Sequence, residues 1–405
     1  MSAPGSEEND VAYRFPFKFE GLVALFFLVA AILSMVIVKF VPGPYRWVGA
    51  LWSILGFAAA MRLARWKQTI LLTFASFCIA VSVSELLAGF LLHPATLVSH
   101  VPPYIQLDQD LGWRNATGVV SNVAKEIGGE QIYSVKYTID VAGRRISPPP
   151  SDQGALGCAV FFTDSFTFGE GVNDEEAYPY RVGILTGGKF RIINLGVSGY
   201  GAHHMVAQLE RDHIVAGLEC TPTHVFYLAL PHHVLRAADK VVPGGPLYEL
   251  GDDIELHRRP RTDHVPDIWV IRVLKSGLKG SYVYRLFQEK YPDGGASEID
   301  LERYFALVAR AGRQVQERWP RARLHIFAWN LHGWFAGGFD RFRSGLARSG
   351  WQLHEVDAIL PDYQKNLGRY VLHRFDHHPN PLAYNLLAAY VADNILASTH
   401  AGGSQ

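Results

Sequence analysis

The chain has 405 residues with 38 basic and 38 acidic side chains, so its formal net charge is zero. A balanced charge gives no electrostatic basis for binding nucleic acid, and a partner of that class is not expected. The three cysteines form no Cys-x-x-Cys pair, which excludes a zinc ribbon or a thioredoxin-type motif. Apolar residues make up 49% of the chain, and the excess lies before residue 95.

Three apolar segments dominate the first 95 residues. Gly21–Val38, Trp47–Met61 and Gln68–Ser84 contain no charged residue. About 20 apolar residues span a bilayer, so the pattern predicts about three transmembrane helices within 21–95, after a cytoplasmic tail at 1–20. Two crossings plus an interfacial segment formed by the short middle stretch is the alternative.

Basic residues in the short connections predict the orientation of these segments. The five in the tail and after the second segment are Arg14, Lys18, Arg62, Arg65 and Lys67, and the two after the first segment are Lys39 and Arg46. This bias places the tail inside the cell. With three crossings, everything after His93 lies on the extracytoplasmic, periplasmic side of the cytoplasmic (inner) membrane. The lipid bilayer is therefore an expected partner.

Residues 96–150 are predicted to form a linker and a small β element. Gln131–Val141 alternates apolar and polar residues and is rich in β-branched and aromatic side chains, as a half-buried strand requires. Glu126–Glu130 contains two glycines and predicts the turn of a hairpin before that strand.

From 151 to 400 short apolar runs alternate with helical patterns. The predicted strands are Gly157–Phe162, Phe190–Leu195, His224–Leu230, Leu324–Trp329 and Trp351–Val356. Ile299–Trp319 and Pro381–Ala397 have apolar residues at helical spacing. Strands alternating with helices predict an α/β domain with a parallel sheet covered by helices on both faces.

Residues 236–298 are longer than one crossover between strands needs. Gly245–Leu256 reads as a hairpin, and Ile268–Phe287 is amphipathic. The segment is interpreted as an insertion near the mouth of a site. A lid, a partner surface, a membrane-facing patch and a plain packed subdomain all remain open.

The stretch Phe161–Val172 carries the clearest chemical signal. An apolar run ends at Asp164-Ser165, and Gly169 and Gly171 follow. A serine at the tip of a strand has an exposed hydroxyl close to free backbone N–H groups, which is what a nucleophilic serine requires. The sequence Asp-His-His-Pro-Asn at 376–380 offers a base and an acid far along the chain.

Together these motifs resemble a known family. Thr163–Gly169, Asn194–Gly201 and Asp376–Asn380 are similar to three of the four sequence blocks of the SGNH (GDSL-type) hydrolases. The signature DSFTFGEGV is similar to that of their membrane-anchored bacterial subgroup. The resemblance covers roughly 104–398. It implies a flavodoxin-like, three-layer α/β/α domain that follows the transmembrane helices and the small β element.

The resemblance also implies the roles of individual residues. Ser165 would be the nucleophile, His378 the base and Asp376 the acid that orients it. The backbone N–H groups of Ser165 and Gly199 would bind the oxyanion. His232 falls where the family has an oxyanion asparagine, and an imidazole N–H is a feasible replacement donor.

Two departures from the family pattern bear on activity. Thr163 stands where a glycine usually precedes Asp-Ser, and His232 replaces the amide of the third block. Loss of one oxyanion donor typically lowers the rate by about 10²–10³-fold. The spacing Asp-x-His is also shorter than the commoner Asp-x-x-His, which leaves His377 as a second candidate base.

Three functions are compatible with these features. The first is a membrane-tethered, extracytoplasmic serine esterase that acts on an O-acyl ester of a glycan, a lipid or a small molecule, without a cofactor. The second is an acyltransferase with the same triad, which would need a membrane protein partner to deliver the acyl donor. The third is a catalytically weak or inactive subunit of a membrane complex.

The paired histidines suggest a metal site, but adjacent histidines on a strand or turn point apart. No His-Glu-x-x-His helix or Asp-rich loop accompanies them. No catalytic metal is therefore expected. His203 and His204 are interpreted as surface or hydrogen-bonded residues at the start of a helix.

Cys158 and Cys220 precede strands that are neighbours in a flavodoxin-like order. Both would lie toward the amino-terminal edge of the sheet, in an oxidising compartment where disulfides persist. A disulfide between them is predicted, with two buried reduced thiols as the alternative. Cys78 is interpreted as a packing residue in the third apolar segment.

Overall fold

In a computed structural model of the chain, the described residues are 96–151, 155–211, 217–251, 255–259, 296–331 and 338–397, with a few helical positions between 76 and 89 and at 283 and 286. The described parts of 94–263 and 293–405 belong to one compact unit. Within these ranges no helix has the length and apolar character needed to cross a bilayer. The predicted membrane segments, apart from those few positions, and most of the amphipathic stretch 268–287 lie outside the described residues.

Fourteen strands are present in the described ranges. They are β1 Thr96–Val101, β2 Ile105–Asp108, β3 Gly112–Asn115, β4 Val119–Ile127, β5 Glu130–Ile139, β6 Gly157–Thr163, β7 Phe190–Gly196, β8 His224–Ala229, β9 Leu247–Leu250, β10 Leu256–Arg259, β11 Arg323–Ala328, β12 Gln352–Glu355, β13 Val371–His373 and β14 Asp376–Pro379.

Eight α-helices accompany them in the same ranges. They are α1 Ser165–Phe168, α2 Tyr178–Leu185, α3 Ala202–Leu209, α4 His232–Ala237, α5 Glu298–Arg318, α6 Gly338–Ala347, α7 Val356–Ile359 and α8 Pro381–Tyr390. Short 3-10 turns occur at Asp174–Glu176 and Leu367–Arg369. The last predicted helix, Pro381–Ala397, is α-helical to Tyr390 and continues as a π-helical turn at Val391–Leu396.

A five-stranded parallel sheet forms the centre of the unit. From one edge to the other its order is β7-β6-β8-β11-β12. If these five strands are numbered as they occur along the chain, this is the flavodoxin-like order 2-1-3-4-5. Each of these five strands begins and ends within one residue of the predicted bounds. The strands are recognisable in the sequence because a parallel sheet buried on both faces requires nearly continuous apolar runs.

Helices cover both faces of the sheet and give three layers. Side chains alternate along β6, so Val160 and Phe162 face one apolar core while Ala159 and Phe161 face the other. Helices α3, α4, α5 and α6 pack on the first face, and α2, α7 and α8 pack on the second. Ser297 caps α5 by accepting a hydrogen bond from the backbone N–H of Asp300.

The small β element predicted before the nucleophile strand is present. Strands β1, β4 and β5 form an antiparallel sheet, and β4 and β5 are joined by a turn at Gly128 and Gly129, both at positive φ. Tyr104 and Tyr137 of this element pack on Phe168 of α1. The element therefore rests directly on the segment that follows Ser165.

A disulfide joins Cys158 of β6 to Cys220, which precedes β8, with Cα atoms 6.1 Å apart. The predicted pairing is confirmed, and the alternative of two reduced thiols is wrong. A hairpin is also present as β9 paired with β10, but its second strand begins at Leu256, where the predicted range ends.

Candidate active site

The carboxyl ends of the central strands bring the predicted site residues to one edge of the sheet. Ser165 follows β6, Gly199 follows β7 and His232 follows β8. Parallel strands place all such ends at the same edge, where ligands bind in open α/β sheets. His378 reaches this edge from β14 in the carboxy-terminal segment.

Ser165, His378 and Asp376 form a continuous series of hydrogen bonds. Oγ of Ser165 lies 2.9 Å from Nε2 of His378. Nδ1 of His378 lies 2.5 Å from Oδ1 of Asp376, a carboxylate that is buried. Because the carboxylate accepts the Nδ1 proton, Nε2 is left to accept the proton of the serine hydroxyl.

The short Asp-x-His spacing follows from the extended conformation of β14. Residues two apart on a strand face the same side, so Asp376 and His378 point together. The intervening His377 is exposed, and its Nε2 lies 3.1 Å from the backbone oxygen of Arg374. The structure therefore places His378, and not His377, beside Ser165.

A lysine from the small β element completes the surroundings of Asp376. Nζ of Lys125 lies 2.7 Å from Oδ2 of Asp376. Burial alone would raise the pKa of Asp376, but the contacts with His378 and Lys125 outweigh it and hold that pKa below its usual range. Asp376 is thus a permanent anion at neutral pH.

A second carboxylate lies on the other side of the imidazole. Oε2 of Glu170 is 3.8 Å from Nε2 of His378 and accepts a 2.8 Å hydrogen bond from Oγ of Ser198. Burial alone would lower the pKa of His378, and Lys125 acts in the same direction. Glu170 and Asp376 together reverse this effect and raise the pKa above its usual value.

Arg145 holds the loop that follows Ser165. Its buried guanidinium donates hydrogen bonds to the backbone oxygens of Phe168 (2.9 Å), Gly169 and Val172 (2.7 Å), and it pairs with Asp174 at 3.1 Å. Three carbonyls of one loop are satisfied by one side chain, so this arginine fixes the shape of the loop.

Asp164 forms a buried polar cluster behind the serine. Its Oδ1 caps α1 through the N–H of Phe166, and its Oδ2 lies 2.9 Å from Nε2 of His233 and 2.8 Å from the guanidinium of Arg236. Burial alone would raise the pKa of Asp164, but these contacts and the one with His232 outweigh it, so the pKa is well below its usual range.

His232 belongs to this cluster. Its Nε2 lies 3.5 Å from Oδ2 of Asp164. Burial and the nearby Arg236 lower the pKa of His232 to about 3, so the ring is neutral at neutral pH. Nε2 of His232 therefore faces Asp164, and the residue lies at the same edge of the sheet as Ser165.

Asp164, His232 and His233 place their ligand atoms within 4.8 Å of one another, a spacing compatible with a metal ion. The guanidinium of Arg236 contacts the same carboxylate oxygen at 2.8 Å, so this oxygen already has a cationic partner. The donor set therefore fits a buried ion pair better than a metal site.

In the described part of the chain, the backbone N–H groups of Ser165 and Gly199 have no hydrogen-bond acceptor within the protein. Gly199 adopts a φ of +89°, and an added Cβ would lie 2.9 Å from the ring of Trp113. Glycine is needed here for both reasons. Trp113 itself donates from Nε1 to the backbone oxygen of Ser198 at 2.8 Å.

Thr163 has a backbone conformation that favours glycine. Its φ is +140°, a value that β-branched residues rarely adopt. The side chain is buried, and its hydroxyl donates a 2.7 Å hydrogen bond to the backbone oxygen of Leu228. The threonine thus keeps the glycine-like backbone and ties β6 to β8.

His203 and His204 differ from part of the prediction. Both are buried rather than on the surface, because α3 packs its whole length against neighbouring elements. Nε2 of His204 lies 3.2 Å from the backbone oxygen of Leu111, so the hydrogen-bonded alternative is correct for this residue.

Sequence reasoning did not find Lys125, Arg145 or Glu170. Lys125 lies in the small β element and Arg145 in the segment that follows it, where no sequence motif indicates that a basic residue faces the site. Glu170 had a signal: it stands between Gly169 and Gly171 in the stretch already singled out for Ser165.

No family model matches the sequence, and no curated protein matches it. Among solved structures, a protein assigned to the G-D-S-L lipolytic family from Desulfitobacterium hafniense is similar, with 14% identity over 58% of this chain and 98% of that chain and a TM-score of 0.30. A family two carbohydrate esterase from Clostridium thermocellum, in complex with cellohexaose, has 12% identity over 64% of this chain and 69% of that chain, with a TM-score of 0.34.

An acetyl xylan esterase from the rumen bacterium Butyrivibrio proteoclasticus has 11% identity over 64% of this chain and 67% of that chain, with a TM-score of 0.32. Because every one of these TM-scores is below 0.5, we base the function on the geometry of the site itself.

Proposed function

We propose that this protein is a serine esterase of SGNH type. The observation that carries the proposal is the hydrogen-bonded series Ser165–His378–Asp376, with distances of 2.9 and 2.5 Å. These are contact distances at which a base can take the proton of a hydroxyl and be held in one tautomer by a carboxylate.

The reaction follows from this arrangement. Oγ of Ser165 attacks the ester carbonyl carbon while Nε2 of His378 accepts the hydroxyl proton. The same nitrogen then returns the proton to the departing alcohol, which leaves an acyl–serine ester. Water attacks this ester with His378 again as the base, His378 returns the proton to Oγ of Ser165, and the carboxylic acid is released. Asp376 stabilises the imidazolium in both halves of the reaction.

Oxyanion stabilisation is assigned to the backbone N–H groups of Ser165 and Gly199. Both are available for a ligand in the described part of the chain, and both stand at the sheet edge that carries the serine. His232 could act as a third donor only through Nδ1, because Nε2 faces Asp164 and a neutral imidazole has one N–H. Preorganised donors of this kind typically supply about 2.7–4 kcal/mol each.

A fluorophosphonate probe tests the proposal. It should label the wild-type protein at Ser165, and Ser165→Ala should abolish both labelling and hydrolysis of p-nitrophenyl acetate. The fold must be intact by circular dichroism in both proteins. An unlabelled, folded wild-type protein would instead favour the non-catalytic subunit.

We also propose that the domain is tethered outside the cytoplasm by the apolar segments within 21–95. The supports are the three uncharged runs, the distribution of basic residues around them and the Cys158–Cys220 disulfide, a type of bond that persists in oxidising compartments.

Alkaline phosphatase fusions test this topology. Fusions after residues 45 and 95 should be active, since the enzyme folds outside the cytoplasm, and a fusion after residue 65 should be inactive. An inactive fusion after residue 95 would overturn the extracytoplasmic placement.

A further inference from the structure

A carboxylate stands beside the reacting nitrogen of the proposed triad and has no role in the chemistry described above. Oε2 of Glu170 lies 3.8 Å from Nε2 of His378. A serine triad needs one carboxylate, behind the imidazole, and Asp376 occupies that position. Glu170 is on the opposite side, where the substrate must enter.

The backbone holds Glu170 in this place. The flanking residues Gly169 and Gly171 have φ values of +88° and +83°. An added Cβ at Gly169 would lie 2.6 Å from Cβ of Ala177, so a side chain is not tolerated there. The N–H of Glu170 also donates to the backbone oxygen of Ser165 at 2.9 Å. The loop geometry therefore directs this carboxylate toward the serine.

The carboxylate of Glu170 is partly accessible to solvent. The side chains of Glu170 and His378 are each 20% exposed. Among the described residues, the other charged groups that act on His378 are Asp376 and Lys125, and these pair with each other behind the ring at 2.7 Å. Nε2 of His378 thus has a carboxylate beside it that no lysine or arginine of the described residues pairs with.

The part of the substrate that meets Glu170 is its alcohol. Nε2 of His378 returns its proton to the alcohol oxygen, so that oxygen lies within hydrogen-bond distance of Nε2 in the reaction. A substituent on the next carbons of the alcohol then falls close to a carboxylate that is 3.8 Å from the same nitrogen.

We propose that Glu170 is a specificity-determining residue that binds a hydrogen-bond donor or cation on the alcohol part of the ester and rejects alcohols carrying a negative charge. The inference rests on the esterase function proposed above and names the class of its substrate. The preferred esters have alcohols that are hydroxylated or cationic, and anionic alcohols are excluded by repulsion.

Three acetate esters with the same two-carbon spacing test this proposal. Acetylcholine carries a cation, 3,3-dimethylbutyl acetate is its neutral counterpart, and 3-acetoxypropanoate carries an anion. For the wild-type protein we expect kcat/KM to be about tenfold higher for the cation and about tenfold lower for the anion than for the neutral ester, as for partly screened charges at this range.

Glu170→Gln is the decisive variant, since glutamine has the same shape and can still accept from Ser198. It should bring the three kcat/KM values within about twofold of one another. It should also move the acidic limb of the pH profile to lower pH, because Glu170 raises the pKa of His378. A purely structural role would change neither. Ser198→Ala removes the partner of Glu170 and keeps its charge, so the charge preference should survive.

Equal kcat/KM values for the three esters in the wild-type protein, or unchanged ratios in Glu170→Gln, would overturn this proposal and leave the esterase function standing. Absence of hydrolysis of all three esters together with absence of fluorophosphonate labelling would overturn the esterase function, and the charge preference with it.

Discussion

The ammonium of Lys125 lies 2.7 Å from Oδ2 of Asp376 and joins the small β element to the proposed catalytic acid. Lys125 is on β4, whereas Asp376 is on β14 near the end of the chain. Both side chains are largely shielded from solvent, with exposures of 14% and 1%. The β element is therefore part of the site and not an appendage to it.

We expect Lys125→Met to shift the pH dependence of esterase activity. Lys125 lowers the pKa of His378, so its removal raises that pKa, and the base becomes neutral only at higher pH. The acidic limb of the kcat/KM profile should move upward, with a larger loss at pH 6 than at pH 8. Lys125→Arg keeps the charge and should leave the limb close to that of the wild-type protein. A uniform loss at all pH values would contradict this account.

His378→Ala should be as inactive as Ser165→Ala, because members of a triad act as a unit. His377→Ala should keep most of the activity, since the ring of His377 is exposed and lies against the backbone oxygen of Arg374. Steady-state hydrolysis of p-nitrophenyl acetate distinguishes the two histidines. A severe defect in His377→Ala with a mild one in His378→Ala would reverse the assignment.

Thr163→Gly should be more stable than Thr163→Ala by about 1 kcal/mol. Both variants lose the buried hydrogen bond to Leu228, but only glycine adopts a φ of +140° without strain. In an ordinary strand the order is the reverse, with glycine less stable than alanine by about 0.5–1 kcal/mol. Urea unfolding of the two variants measures the difference, and a more stable alanine variant would show that the backbone relaxes.

Buried histidines should make the protein sensitive to acid. Burial lowers the pKa of His224 and His354 to about 4 and that of His325 to about 3, and neighbouring charges add to the effect on His224 and His325. Between these values and about 6.5 the unfolded chain binds more protons than the folded one. The free energy of unfolding should therefore decrease as the pH is lowered through this range, by about 1.4 kcal/mol per pH unit for each such histidine.

His224→Phe tests this acid dependence. The ring stacks near Phe226 and His325, so phenylalanine fits the surroundings and removes one of the protonation sites. The difference in unfolding free energy between pH 7 and pH 5 should be smaller in the variant than in the wild-type protein. Equal differences would show that His224 does not contribute.

The parallel sheet was predictable because its strands are short apolar runs with helical patterns between them. The pairing of Cys158 with Cys220 was expected from the flavodoxin-like strand order that the resemblance implies, in which their two strands are neighbours. Ser165, His378 and Asp376 could be named from short motifs and from the family resemblance that those motifs carry.

The remaining site residues could not be predicted because their roles depend on contacts between distant segments. Whether Lys125 faces Asp376 depends on how β4 packs near β14, and a basic residue on an antiparallel strand is ordinarily solvated. The orientation of the His232 ring likewise depends on its contact with Asp164, which also pairs with Arg236. A sequence motif does not specify contacts within such a buried cluster.

The clamp formed by Arg145 has a consequence for how the protein unfolds. If the small β element melted alone, the backbone oxygens of Phe168 and Val172 would lose the guanidinium that donates to them. Melting of the β element before the parallel sheet is therefore unfavourable, and the two should unfold together. Calorimetry of a chain spanning 96–397 should accordingly show one cooperative transition, and a chain that starts at 155 should lack a stable folded state.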